Sequence, residues 1–200
     1  MNRKVALIIS SIFHPVFINL ISLLLLFVLF PVLQFGLSDN VKLIYILFIF
    51  VTTGILPLLI VLLMKVLGKI SSLLIDNKDE RTLPYIITST IYLLNYYLFM
   101  KVGAPQIIVS YLLGCSTITV AVLIINLFYK ISIHTSALGA LSAVIVASVH
   151  QASFDIRLLL IIIFIITGIT ASARIYAESH NQQQLYMGFL TGTLIMFFIL

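Results

Sequence analysis

Read for its apolar and polar positions alone, the chain is a series of long hydrophobic runs with short polar interruptions. The runs occupy 5–33, 41–67, 85–100, 107–129, 131–149, 158–173 and 185–200. A helix that crosses a bilayer needs about 20 mainly apolar residues, with a range of about 17 to 25. The runs therefore predict six or seven transmembrane helices. The first carries His14, Pro15 and Asn19, which predicts a bend or a partly interfacial segment instead of a straight crossing. Stretches such as Leu23-Leu24-Leu25-Leu26 are continuously apolar and do not alternate, which argues against a β-barrel. The expected fold class is all-α, a polytopic membrane helix bundle forming one domain over residues 1–200.

Composition strengthens this reading and removes several function classes. The chain is 62% hydrophobic and 8% charged, with a mean hydropathy of +1.25, which leaves no charged surface for a water-soluble fold. Its net charge of +5 is not gathered into a basic run, so nucleic acid is not an expected partner. Met1-Asn2-Arg3-Lys4 ahead of an apolar run resembles a signal peptide, but the run is too long and no small-residue cleavage site follows. It is expected to remain as the first membrane segment. The single cysteine, Cys115, lies in the middle of a predicted span and permits no intramolecular disulfide.

Almost all polar residues suited to chemistry fall in three short stretches, 78–84, 132–134 and 174–184. Ionisable groups at a membrane edge are costly to desolvate and mark functional sites by default. Two predicted spans separate the first stretch from the second, and two more separate the second from the third. An even number of crossings returns the chain to the same side, so all three can share one membrane face. With alternate crossings Arg3, Lys4, Lys65, Lys69, Lys78, Arg81, Lys130 and Arg174 lie on that face and Lys42, Lys101 and Arg157 on the other. Positive-inside counting favours a cytoplasmic first face, but weakly: Lys78, Arg81 and Arg174 are themselves anion-binding candidates.

Each stretch offers particular chemistry. Lys78 and Arg81 can contact phosphate oxygens, the arginine through a planar fork and the lysine as a point charge, with Pro84 marking entry into the next helix. Ser132-Ile133-His134-Thr135 sets a hydroxyl and an imidazole at the start of a span, where backbone N–H groups favour an anion. Arg174 and His180 bracket five residues and precede Asn181-Gln182-Gln183-Gln184, a spacing suited to an arginine that holds a phosphoryl group and a histidine that attacks it. Taken singly, each stretch also fits a solvated loop or a helix cap.

In order and membrane context the three stretches resemble the motifs of the type 2 phosphatidic acid phosphatase family, K-x6-R-P, P-S-G-H and S-R-x5-H-x3-D. Arg174 and His180 match R-x5-H, and Gly188 and Gly192 follow as a G-x3-G. Ser132 and His134 retain the serine and histidine of the second motif. Arg81 and Pro84 represent the first, with Lys78 or Lys69 in place of the family lysine, so the motif region covers 69–192. The resemblance implies a membrane lipid phosphatase of a bacterial inner membrane, acting on phosphatidate, phosphatidylglycerol phosphate or a polyprenyl diphosphate. It implies that His180 attacks phosphorus to form a phosphohistidine and His134 protonates the leaving group. Lys78, Arg81, Ser132 and Arg174 would bind the phosphoryl oxygens, and neither a metal nor another cofactor is expected.

The chain departs from the family at defined positions. Gln184 stands where the family has the aspartate that orients the nucleophilic imidazole, Ala173 where it has serine, and Ile133 where it has glycine. Gln184 can accept a hydrogen bond but supplies no negative charge, which leaves Glu178 as another possible relay. The alternatives are an inactive relative that binds a lipid headgroup and, less favoured, a small transporter.

Overall fold

The structure, a computed structural model, describes residues 2–72, 75 and 79–200. Its regular elements are all helical: α1 (Arg3–Ile12), α2 (Pro15–Leu29), α3 (Pro31–Gly36), α4 (Asp39–Phe50), a π-helical turn (Val51–Ile55), α5 (Leu56–Val66), a 3-10 turn (Asp79–Arg81), α6 (Thr82–Lys101), α7 (Gln106–Phe128), α8 (Ile133–Ala147), α9 (Arg157–Tyr176) and α10 (Gln182–Ile199). Among the described residues there is no strand.

Four stretches are long and apolar enough to span a membrane, Arg3–Leu29, Asp39–Val66, Gln106–Phe128 and Arg157–Tyr176. They mark an integral membrane protein. The first contains the bend expected from sequence. α1 ends at Phe13, His14 caps α2, and Pro15 occupies the first turn of α2, where its missing N–H leaves no bond unmade. α6, α8 and α10 are 20, 15 and 18 residues long.

α8 is the centre of the bundle, with eleven of its fifteen residues buried. It packs against α10, α2 and α9. The closest approach is to α10, because Gly188 and Gly192 lie directly over the carbonyl oxygens of Ser132 and Ser136, and Gly139 lies over that of Phe189. Small residues let two backbones come this near without a hydrophobic driving force between helices in lipid. Ser132 N–H also donates to the Gln184 carbonyl (3.3 Å), tying the starts of α8 and α10 together.

The second span is interrupted at its middle. The Leu56 N–H bonds the carbonyl of Val51, five residues back, and Pro57 has no N–H to offer the Thr53 carbonyl. That carbonyl accepts from the Tyr92 hydroxyl of α6 (3.0 Å). Asn19 of α2 completes the junction, donating to Thr53 Oγ1 and to the Tyr92 oxygen, both at 3.0 Å.

Candidate functional site

The start of α6, the start of α8 and the turn from α9 to α10 meet at one end of the bundle. α6 and α7 carry the chain away from that end and back, and α8 and α9 do the same. There Arg81, His134, Arg174 and His180 line one cavity of about 200 Å³, with His14 from the α1–α2 break. The opposite wall is apolar and aromatic, formed by Pro57, Leu58 and Val61 of α5 and by Tyr85 and Tyr92 of α6.

The R-x5-H spacing has a local structural cause. α9 ends in a Schellman turn: Glu178 N–H donates to the Ile175 carbonyl (2.9 Å) and Ser179 N–H to the Arg174 carbonyl (3.1 Å). Glu178 occupies the left-handed position at φ 56°, where glycine is usual and another residue costs about 1–2 kcal/mol. The turn brings the His180 N–H to 3.4 Å from the same Arg174 carbonyl. Residues six apart in sequence thus become neighbours.

His180 is held in a defined tautomer. Asn181 N–H donates to Gln184 Oε1 (3.2 Å), while Gln184 N–H donates to Asn181 Oδ1 (3.0 Å), a capping box at the start of α10. A backbone N–H can only donate, so the atom facing it is the amide oxygen. His180 Nδ1 lies 2.9 Å from that oxygen and must therefore carry the proton, which leaves the Nε2 lone pair free. Gln184 thus orients the His180 ring through a neutral amide. Glu178 is exposed, and the nitrogen it would need to hold is occupied by Gln184, which corrects the expectation of a relay through Glu178.

Two guanidinium groups face this imidazole. Arg81 and Arg174 are only 5% and 4% exposed, and among the described residues lining the cavity there is no carboxylate. Arg81 is oriented by two backbone carbonyls, its Nε donating to that of Ile75 (2.7 Å) and Nη1 to that of Ile131 (3.5 Å). Burial, and then the charges of Arg81 and Arg174, push the His180 pKa down from 6.5 to about 3. The imidazole is neutral at physiological pH, so its lone pair is available.

This shift links pH to stability. Between about 3 and 6.5 the unfolded chain holds a proton on residue 180 that the folded chain does not, so stability is full above that window and falls as pH drops through it. The unfolding temperature in detergent is expected to decline from about pH 7 to about pH 4, and His180→Gln should shallow the decline. An unchanged slope in the variant would contradict the assignment.

The other sequence candidates divide. His134 joins the cavity, and its Nε2 lies 3.2 Å from the Ser10 carbonyl at the end of α1. A carbonyl only accepts, so Nε2 carries the proton and Nδ1 is the nitrogen left for exchange. Ser132 does not line the cavity. It is the fully buried N-cap of α8, its hydroxyl accepting from Thr135 N–H (3.5 Å), so the expected phosphate contact is replaced by a capping role. Lys69 is exposed and away from the cavity, and Lys78 lies outside the described residues. Ala173 is buried beside Ala6 of α1, so its small size serves helix packing. Sequence reasoning missed the Ser10 carbonyl, for which no side-chain pattern exists, and undervalued His14, whose signal was a polar residue at a predicted helix break.

The chain matches no protein-family model, no curated protein and no solved structure.

Proposed function

We propose that the protein is a membrane lipid phosphatase, hydrolysing a phosphomonoester or diphosphate of a lipid through a phosphohistidine intermediate. One observation carries this reading: a neutral, oriented imidazole shares one cavity with two buried guanidinium groups. Each guanidinium can donate to phosphoryl oxygens through its planar fork, and a phosphoryl group held in this way would present its phosphorus to the imidazole for attack. The order of the motifs, which resembles that of the type 2 phosphatidic acid phosphatases, supports the same reading.

In this mechanism His180 Nε2 attacks phosphorus and the bond to the lipid oxygen breaks. Arg81 and Arg174, with Lys78 as a further candidate, stabilise the charge on the phosphoryl oxygens. A proton carried in on the substrate phosphate passes by way of His134 Nδ1 to the departing oxygen, while Nε2–H stays on the Ser10 carbonyl. Water then attacks the phosphohistidine, His134 takes its proton, and the P–N bond breaks to release phosphate and neutral His180.

The reading includes six or seven crossings of a bacterial inner membrane, with α6, α8 and α10 joining the four long apolar stretches. α8, at about 1.5 Å per residue, is some 22 Å long; buried by its neighbours, it does not have to match the lipid thickness itself. The apolar wall of α5 suits the chain of a lipid substrate. Full-length protein in detergent is expected to release inorganic phosphate from at least one of phosphatidate, phosphatidylglycerol phosphate and undecaprenyl diphosphate. Absence of release from all three would reject the proposal. Headgroup binding without release would favour an inactive lipid-binding protein, the second reading, to which the neutral Gln184 gives support.

A further inference from the structure

We propose that His14 is a third imidazole of the site, a fixed hydrogen-bond donor to the bound phosphoryl group. The inference rests on the phosphate-handling reading above, but on separate observations. His14 stands at the α1–α2 break and lines the same cavity as Arg81, His134, Arg174 and His180. Its ring meets that of His134 edge-on, with centroids 5.5 Å apart and an angle of 87° between the planes.

The backbone decides its protonation. As N-cap of α2, His14 presents Nδ1 to the Val16 N–H at 3.4 Å. Pro15 has no N–H, so Val16 supplies the first free donor of that helix. A backbone N–H can only donate, so Nδ1 is an acceptor and the proton sits on Nε2. The bond to Val16 turns one edge of the ring to the helix and leaves the edge bearing Nε2–H for the cavity. Donors fixed before substrate arrives stabilise charge without reorganisation in the transition state. His14 therefore adds a neutral donor beside the cationic Arg81 and Arg174, while His134 handles the leaving-group proton.

The N-cap position makes the test clean. Asparagine caps helices as well as or better than most residues, but its shorter side chain cannot place a donor where Nε2 lies. His14→Asn should keep the wild-type unfolding temperature while turnover of both p-nitrophenyl phosphate and dioctanoyl phosphatidate falls roughly 10²-fold. A loss shared by both substrates marks a contact to the phosphoryl group; a loss confined to the lipid would place His14 on the leaving group and overturn the assignment. Should His14→Asn fold poorly, His14→Ser, a second capping residue, serves in its place.

Calorimetric binding of inorganic phosphate to the full-length protein provides an arm independent of turnover. If the wild type turns over and the variant matches it in both rate and phosphate affinity, His14 only caps α2 and the proposal falls. If the wild type binds phosphate without turnover and His14→Asn binds it more weakly, the His14 assignment stands and the hydrolytic reading falls. Neither binding nor turnover in the wild type would overturn both.

Discussion

His180→Ala is expected to abolish phosphate release, by roughly 10⁴- to 10⁶-fold, because in the proposed mechanism it removes the nucleophile and leaves only the groups proposed to bind phosphate. Full activity in this variant would exclude the phosphohistidine route. The same assay separates a working enzyme from a relic through residue 184. Gln184 Oε1 accepts from both His180 and the Asn181 backbone, so Gln184→Glu preserves the reach of both bonds and adds a negative partner for the imidazolium that develops during attack. In a related histidine triad, replacing the carboxylate with its amide costs about 10⁴, largely through the wrong tautomer. Here the right tautomer is already held, so the expected gain is smaller, roughly tenfold. Gln184→Asp, one methylene shorter, should gain less, and Glu178→Gln should change little because Glu178 is exposed. If no variant turns over, Gln184→Glu included, the lipid-binding reading is the better one.

Gly192→Leu is expected to lower stability by roughly 3 kcal/mol or more and to remove activity with it. Any Cβ at this position would overlap the Ser136 carbonyl oxygen, and one at Gly188 would overlap that of Ser132. The obstacle is backbone, not the end of a flexible side chain, so the helices must separate. Separation would pull the Ser132–Gln184 bond apart and detach the start of α8 from the capping box that holds His180. Gly168→Ala is the control, since nothing lies within 4 Å of a Cβ there. Thermal unfolding in detergent should show a large loss for Gly192→Leu and none for Gly168→Ala; equal behaviour would mean that the contact of α8 with α10 does not hold the site.

What sequence could read depended on whether the structure was local. Arg174, His180 and Gln184 are related by one Schellman turn and one capping box, both short-range devices, and their spacing carries them directly. The return of Arg81 and His134 to the same end was legible through the number of apolar runs between them. Ser132 was not, because a serine ahead of a helix looks the same whether its hydroxyl caps the helix or reaches a ligand. The Ser10 carbonyl was invisible, since every residue has one and only tertiary packing selects it. Crossing number stayed coarse for a related reason: α8 is buried by protein on nearly all sides, so its length is not set by lipid.

The π-helical turn at Val51–Ile55 fixes the phase between the two halves of the second span. Shortening it by one residue would let the helix pair regularly, but it would rotate everything beyond it by about 100°. Pro57, Leu58 and Val61 would then leave the cavity wall, and the Thr53 carbonyl would turn from Tyr92. Exchanges among the exposed apolar residues of this span, such as Leu59 and Leu62, leave that phase intact; a change in its residue count does not. Insertions and deletions here act like slipping a gear by one tooth, altering the shape of a pocket formed by residues they never touch.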